Sequence, residues 1–239
     1  MSKVRIYIAK EKIACTILLE DREIVHKIKG VLRLESADLV YIFDGEGSEY
    51  VYEIIEVGKK AIRIEQKRVV REEADIDKKV ILGFPLVGEE RIDFILQKAT
   101  ELGVSGFIPF ICQRSMRAKS ANKLKRWRKI VVEASRQSER LWIPFVSDIL
   151  EFDELIKVKY KTKLAGFIEG EAIEGIGELK EKDIFMVVGP VGDFSADEYK
   201  RLKRRGFKFV RLSANILRVE TAAVFSVGLI RYFLDKKCE

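Results

Sequence analysis

The sequence predicts an α/β protein in two parts, on three observations. The first seventy or so residues carry short runs that alternate apolar and polar with period two, broken by turn residues. Beyond a charged stretch, apolar strand-like runs alternate with amphipathic helix-like ones, the pattern of a mainly parallel sheet covered on both faces. Two of the later strands run into turn-rich loops that open helices, and such junctions are where open α/β sheets bind ligands.

In the first part the strand-like runs are 4–9, 13–19, 39–43, 50–57 and 61–69. Asp44-Gly45-Glu46-Gly47 reads as a hairpin turn rather than a nucleotide loop, because it opens no helix. Five short strands with one helical insertion near 23–33 suggest a small closed or half-closed barrel, a shape often used for RNA. Residues 71–79 are charged and poor in apolar side chains, and they predict the link between domain 1–70 and domain 80–239.

After the link, strands are expected at 80–84, 107–111, 164–168, 184–188 and 209–212. A helix over 91–102 places Ile92, Ile95, Leu96, Ala99 and Leu102 on one face. Another over 123–141 does so with Leu124, Trp127, Val131, Ala134 and Leu141, leaving its Lys and Arg outward. Trp127 reads as packing for that helix rather than a base-stacking platform. The last helix, 220–234, is apolar nearly all round and predicts burial in the core or in a subunit interface.

The 239 residues carry a formal charge of +7 that is unevenly spread. Residues 114–140 hold ten Lys/Arg against two Glu, and 200–211 hold seven with no acid, so the remainder is net acidic. Concentrated basicity favours a polyanion-binding face. Cys15, Cys112 and Cys238 show no paired spacing and read as reduced thiols. His26 is the single histidine, so a Ser-His-Asp triad or a multi-histidine metal site is close to excluded. No apolar run approaches membrane-spanning length, and the start goes straight into strand-like alternation, so a cytoplasmic protein is expected.

At the first junction, Val188-Gly189-Pro190-Val191-Gly192, two glycines allow close approach of a ligand to the backbone and proline stiffens the turn. Ser195 and Glu198 then form a capping box. At the second, Leu212-Ser213-Ala214-Asn215-Ile216-Leu217-Arg218-Val219-Glu220-Thr221, Ile216 and Leu217 are placed to pack on a flat base. Arg218 stands near a helix start, where the macrodipole disfavours a cation, so its job lies outside the helix. Glu220 suits the helix N-terminus, and Thr221 reads as a cap or core hydroxyl. There is no GxxxxGK[ST], and no GxGxxG follows a strand.

These residues carry a resemblance to the ribosomal RNA small subunit methyltransferase E family of the SPOUT superfamily, whose members methylate N3 of a uridine in 16S rRNA. It includes His26-Lys27-Ile28-Lys29-Gly30-Val31-Leu32-Arg33-Leu34 with Phe43-Asp44-Gly45, and the run from Ile95 to Val104 (ILQKATELGV). Pro109, Arg114, Glu133-Ala134-Ser135-Arg136-Gln137-Ser138, Arg140, Pro144 and the two junctions complete it. The resemblance implies a PUA-like barrel followed by a SPOUT α/β domain with a deep trefoil knot. It implies S-adenosylmethionine held by three loops: Phe167-Ile168-Glu169-Gly170, Val188 to Gly192, and Leu212 to Arg218, with Thr221 beside them. It also implies a homodimer.

On that reading Arg218 would stabilise charge on the uracil, and Glu220 or Asp193 would take the imide proton. Arg33, Arg114, Arg117, Lys125, Arg126, Arg136 and Arg140 would bind RNA phosphates, and His26 would be structural or RNA-facing. The family usually has Gly-Pro-Glu-Gly-Gly where this chain has Gly189-Pro190-Val191-Gly192-Asp193, and Leu-Gly where it has Leu212-Ser213. Two alternatives therefore stay open: a non-catalytic RNA-binding or ribosome-assembly protein on a degenerate knot scaffold, and a SPOUT methyltransferase with another RNA target.

Overall fold

The computed structural model describes residues 3–75, 77–117, 121–172 and 183–235; Cys238 lies outside them. The chain forms two compact units, Met1–Asp75 with Ser135–Ile143, and Ile76–Ala134 with Pro144–Glu239.

The first unit is a five-stranded sheet of β1 (Arg5–Tyr7), β2 (Thr16–Leu19), β3 (Leu39–Phe43), β4 (Ser48–Val57) and β5 (Ile62–Glu72), in the order β1-β3-β4-β5-β2. β1 lies parallel to β3 and the remaining pairs are antiparallel. The period-two pattern decides which side is the core: Val40 and Ile42, Tyr52 and Ile54, and Ile62 and Ile64 all point inward. Val25 and Ile28 close it from the helical insertion. That insertion is α1 (Arg22–His26) followed by a wider turn, in which the Leu32 N–H donates to the Lys27 carbonyl at 2.9 Å. A Cβ at Gly30 would sit 3.1 Å from the His26 ring, so the exposed His26 covers this turn.

β5 continues to Glu72, two residues into the stretch expected to be a link. Ser135–Ile143 belongs to this first unit, held by a buried cation. Arg5, 2% exposed, donates to the Ser135, Arg136 and Arg140 carbonyls at 3.1, 3.3 and 2.9 Å. Its Nε donates to the fully buried Glu49 carboxylate at 2.5 Å, and Lys3 reaches the other Glu49 oxygen at 2.6 Å. The guanidinium also lies 4.1 Å from the Phe43 ring. Asp44 shapes the hairpin turn by accepting from the Glu46 and Ser48 N–H groups.

In the second unit seven strands are all paired in parallel: β6 (Val80–Pro85), β7 (Gly106–Ile111), β8 (Phe145–Val146), β9 (Leu150–Glu151), β10 (Thr162–Ala172), β11 (Ile184–Val187) and β12 (Lys208–Arg211). The order is β12-β10-β11-β6-β7-β8, with β9 also pairing β7. β6, β7 and β11 are buried along their whole length, as strands covered on both faces must be. The two-residue strands β8 and β9 and the short α4 (Phe152–Leu155) were not expected, being too short to show a period.

α2 (Glu89–Glu101) buries Ile92, Ile95, Leu96 and Ala99 as its spacing predicts, while Leu102 is largely exposed just past its end. α3 (Ala121–Gln137) stops short of the expected 141, ahead of Glu139 with φ of +57°. Trp127 on α3 is fully buried edge-on to Phe84 at 6.4 Å. α5 (Ala196–Arg204) starts at the capping box of Ser195 and Glu198. After β12 at the sheet edge, α6 (Val219–Asp235) returns to pack on α2, β6 and β11. No helix among the described residues is long and apolar enough to cross a membrane.

Burial opposes ionisation of Glu49, but the hydrogen bonds from Lys3 and Arg5 outweigh it and hold the carboxyl below the usual glutamate range. A depressed carboxyl contributes stability above its unfolded value and loses it as pH falls through the folded one. Glu49→Gln should therefore cost about 3 kcal/mol at neutral pH, the scale for breaking a buried pair. In urea melts across pH, that difference should shrink as the medium becomes acidic enough to protonate wild-type Glu49.

Candidate active site

β6 sends its chain through α2 to β7 on one side, whereas β11 sends its chain through α5 to β12 on the other. Connections that diverge from neighbouring parallel strands leave a crevice at their carboxyl ends. A cavity of about 600 Å³ opens here. Its walls are Gly166, Phe167 and Ile168 from β10, Val188 to Asp193 after β11, and Leu212, Ser213 and Asn215 to Val219 after β12. Ala222 of α6 and Arg91 of α2 complete it.

The first of the three expected loops is a bulged strand. β10 pairs with β12 through a register shift between Gly166 and Glu171, which turns Phe167 and Ile168 toward the cavity. A Cβ at Gly170 would meet the Phe209 and Val210 backbone at 2.8 Å, so glycine permits the close approach. Phe167 packs against Tyr199 and Phe209, at 4.9 and 5.8 Å between ring centroids.

The second wall is a tight turn. The Asp193 N–H donates to the Pro190 carbonyl at 2.9 Å, and Gly192 takes φ of +78°, as the third position of a type II turn demands. Asp193 follows with φ of +61°, a conformation that aspartate tolerates better than most side chains. Its Oδ1 accepts from the Phe194 N–H at 2.7 Å, and a Cβ at Gly189 would come within 2.6 Å of that oxygen. Val191, 63% exposed, points away from the core. The departures from the family pattern thus fall on a turn that keeps regular hydrogen bonding. Burial pushes the Asp193 carboxyl above the ordinary aspartate range, against the opposing pull of the Phe194 N–H and Arg114.

Arg114, expected among the phosphate binders, grips this turn: its guanidinium donates to the Gly192 carbonyl and, at 3.3 Å, to the Asp193 carbonyl. The adjacent Gln113 N–H donates to Glu198 Oε1 at 2.8 Å, tying the same post-β7 segment to the start of α5. Burial pushes the neighbouring Cys112 thiol up to about 11, which keeps it protonated and unreactive.

In the third wall Ser213 Oγ accepts from the Asn215 N–H at 3.1 Å, Ile216 is 89% exposed, and Leu217 is half-buried. The Arg218 carbonyl accepts the first α6 bond from Ala222, and its guanidinium has no partner among the described residues. Glu169, Ala214, Glu220 and Thr221 stand outside the cavity lining. Thr221 is exposed rather than a cap or core hydroxyl, and one buried Glu220 oxygen lacks a hydrogen-bond partner among the described residues. Arg91, Gly166, Val219 and Ala222 lie beyond the loops expected from the sequence, whereas Asn215 falls inside the 212–218 loop. The signal used for Arg218, a cation in the first turn of a helix, also marks Arg91, the third residue of α2.

The remaining basic candidates divide between the units. Arg33 is exposed with φ of +54°, and Arg136 and Arg140 give their carbonyls to Arg5. In the second unit Arg117 and Lys125 are exposed, whereas Arg126 is engaged by Asp93 and, at 3.7 Å, by Glu89, so it is no free cation.

A family model described as an RNA methyltransferase domain matches residues 74–231, and one described as an RNA methyltransferase PUA domain matches residues 19–67. Ribosomal RNA small subunit methyltransferase E of Rickettsia conorii is 30% identical over 220 residues, covering 90% of this chain and 88% of its own. A Legionella pneumophila methyltransferase solved with S-adenosylmethionine superposes with a TM-score of 0.88 at 25% identity, covering 97% of this chain and 98% of its own. The small subunit methyltransferase E of Neisseria gonorrhoeae, solved with the same cofactor, gives 0.83 at 26% identity with the same coverage. The chain belongs to the ribosomal RNA small subunit methyltransferase E family.

Proposed function

We propose that the cavity holds S-adenosylmethionine and that the protein transfers its methyl group to N3 of a uridine in 16S rRNA, in the cytoplasm. The observation that carries this reading is the convergence of the β10 bulge, the 188–193 turn and the 212–218 loop on one cavity in a chain of this family. The cavity has the size of a small-molecule site and an apolar lining with few polar side chains. Phe167, Ile168, Ile216 and Leu217 offer flat or flexible apolar surface for an adenine, and the strand-end backbones offer donors and acceptors for its edge. The departures at Val191, Asp193 and Ser213 leave the walls formed, which favours an enzyme over a degenerate scaffold.

When bound, S-adenosylmethionine supplies a methyl group activated by a sulfonium. The chain's own residues would do the rest. Uridine N3 lies on the base-pairing edge, so the target enters unpaired or flipped out. Arg218, unpaired at the cavity, stabilises the negative charge that develops on the uracil oxygens as the imide proton leaves. Asp193 is the better placed of the two candidate bases: it lines the cavity, and burial raises its proton affinity. Glu220 stands outside the lining.

Phe225 and Tyr232 on α6 and Phe94 and Leu102 around α2 are exposed within the same unit, and we assign this apolar surface to a second copy of the chain. Wild-type protein should sediment as a dimer and Phe225→Asp/Tyr232→Asp as a monomer; a monomeric wild type would contradict the assignment.

Mass spectrometry of 16S rRNA from a strain lacking the gene should show loss of N3-methyluridine, restored by the wild-type gene. Arg218→Ala should lower kcat by about a hundredfold or more, the scale for losing one charge-stabilising donor. Its affinity for S-adenosylhomocysteine should change by less than about threefold, since the lost interaction serves the uracil. An unchanged N3-methyluridine signal would refute the target, and near-wild-type turnover the role of Arg218.

A further inference from the structure

Arg91 reaches the cavity from the first turn of α2, where the helix dipole opposes a cation. Of the acids close by in sequence, Glu89 and Asp93 are engaged elsewhere, and the exposed Glu90 makes no ion pair with Arg91. Glu89 is held by Lys123 at 3.2 Å and by Arg126, and Arg126 also takes Asp93. The Arg91 guanidinium is consequently left without a hydrogen-bond or ion-pair partner among the described residues, as is that of Arg218. The carboxyl in the cavity lining is that of Asp193.

The charge balance then points to the ligand. Two guanidiniums face one carboxyl, and S-adenosylmethionine itself brings a net positive charge. The anions that complete the site must come with the second substrate. Arg91 is exposed at the rim rather than sunk in the cavity, and a guanidinium fork matches a phosphate in two hydrogen bonds. The neighbouring polar cavity of about 750 Å³ has the opposite balance, Glu151, Asp153, Glu154 and Glu198 against Arg117 and Arg201, and would repel a phosphate.

We propose that Arg91 binds the phosphodiester of the nucleotide being methylated and holds the extruded uridine at the mouth of the cavity. This rests on the methyltransferase reading above. Arg91 thereby divides the substrate with Arg218, one cation on the backbone and the other on the base.

The test compares wild type, Arg91→Ala and Arg91→Lys in two measurements. One is anisotropy of a fluorescein-labelled 16S rRNA fragment carrying the methylated uridine, across salt concentrations; the other is calorimetry with S-adenosylhomocysteine. Arg91→Ala should weaken the RNA about tenfold, the low end for a charged hydrogen bond. It should also flatten the plot of log K against log salt by about one, with cofactor affinity unchanged. Arg91→Lys should restore the salt slope and only part of the affinity. Weakened S-adenosylhomocysteine binding with an unchanged salt slope would overturn the proposal in favour of the cofactor carboxylate, and no change in either measurement would overturn it outright. A wild type that fails to bind S-adenosylhomocysteine would instead refute the methyltransferase reading.

Discussion

Strand β11 is hydrogen-bonded on both edges, to β10 and to β6, and is buried from end to end. Every feature of the site depends on that position. A one-residue slip in either ladder would turn its apolar side chains over, so its register places Val188 and Gly189 at a defined height above the sheet. Because β6 and β11 send their chains in opposite directions, nothing closes the space between their carboxyl ends except the loops themselves. The β10 bulge supplies one wall, the 190–193 turn another, and the return of α6 across the sheet carries Leu212 to Arg218 over the top.

Cations organise both units, in opposite ways. Arg5 is fully committed, with its guanidinium shared among Glu49, three carbonyls and the face of Phe43. It is structural because nothing remains for a ligand to take. Arg114 is half committed, holding two carbonyls of the turn with an otherwise exposed side chain. Arg91 and Arg218 are uncommitted at helix starts. Ranking arginines by how many of their donors the protein consumes separates those that hold the fold from those left open to a ligand.

Most long elements were legible because burial on one face leaves a period. Val40 and Ile42, or Ile92, Ile95 and Leu96, announce themselves. The two strand-to-helix junctions were legible because glycine, proline and a capping box have local reasons to be there. What stayed hidden depends on partners distant in sequence. Arg5 in a strand reads as a solvent-facing residue until the 135–140 carbonyls arrive, which is why that segment's place in the first unit could not be foreseen. Phe167 and Ile168 read as a strand leading to a loop, since the bulge exists only against β12. The contacts of Arg114 with the Gly192 and Asp193 carbonyls, some eighty residues on, likewise leave no mark in the local sequence.

The central claim is that three segments brought together at one divergence of the sheet form a single cofactor site. A crystal structure of the protein with S-adenosylhomocysteine tests it most directly. The adenine should lie against Ile216, Leu217 and the 188–192 backbone, with the sulfur facing Arg218 across the cavity. A cofactor seated in the polar cavity beside Arg117 and Glu198, or one that touches neither Gly189 nor Leu217, would contradict it.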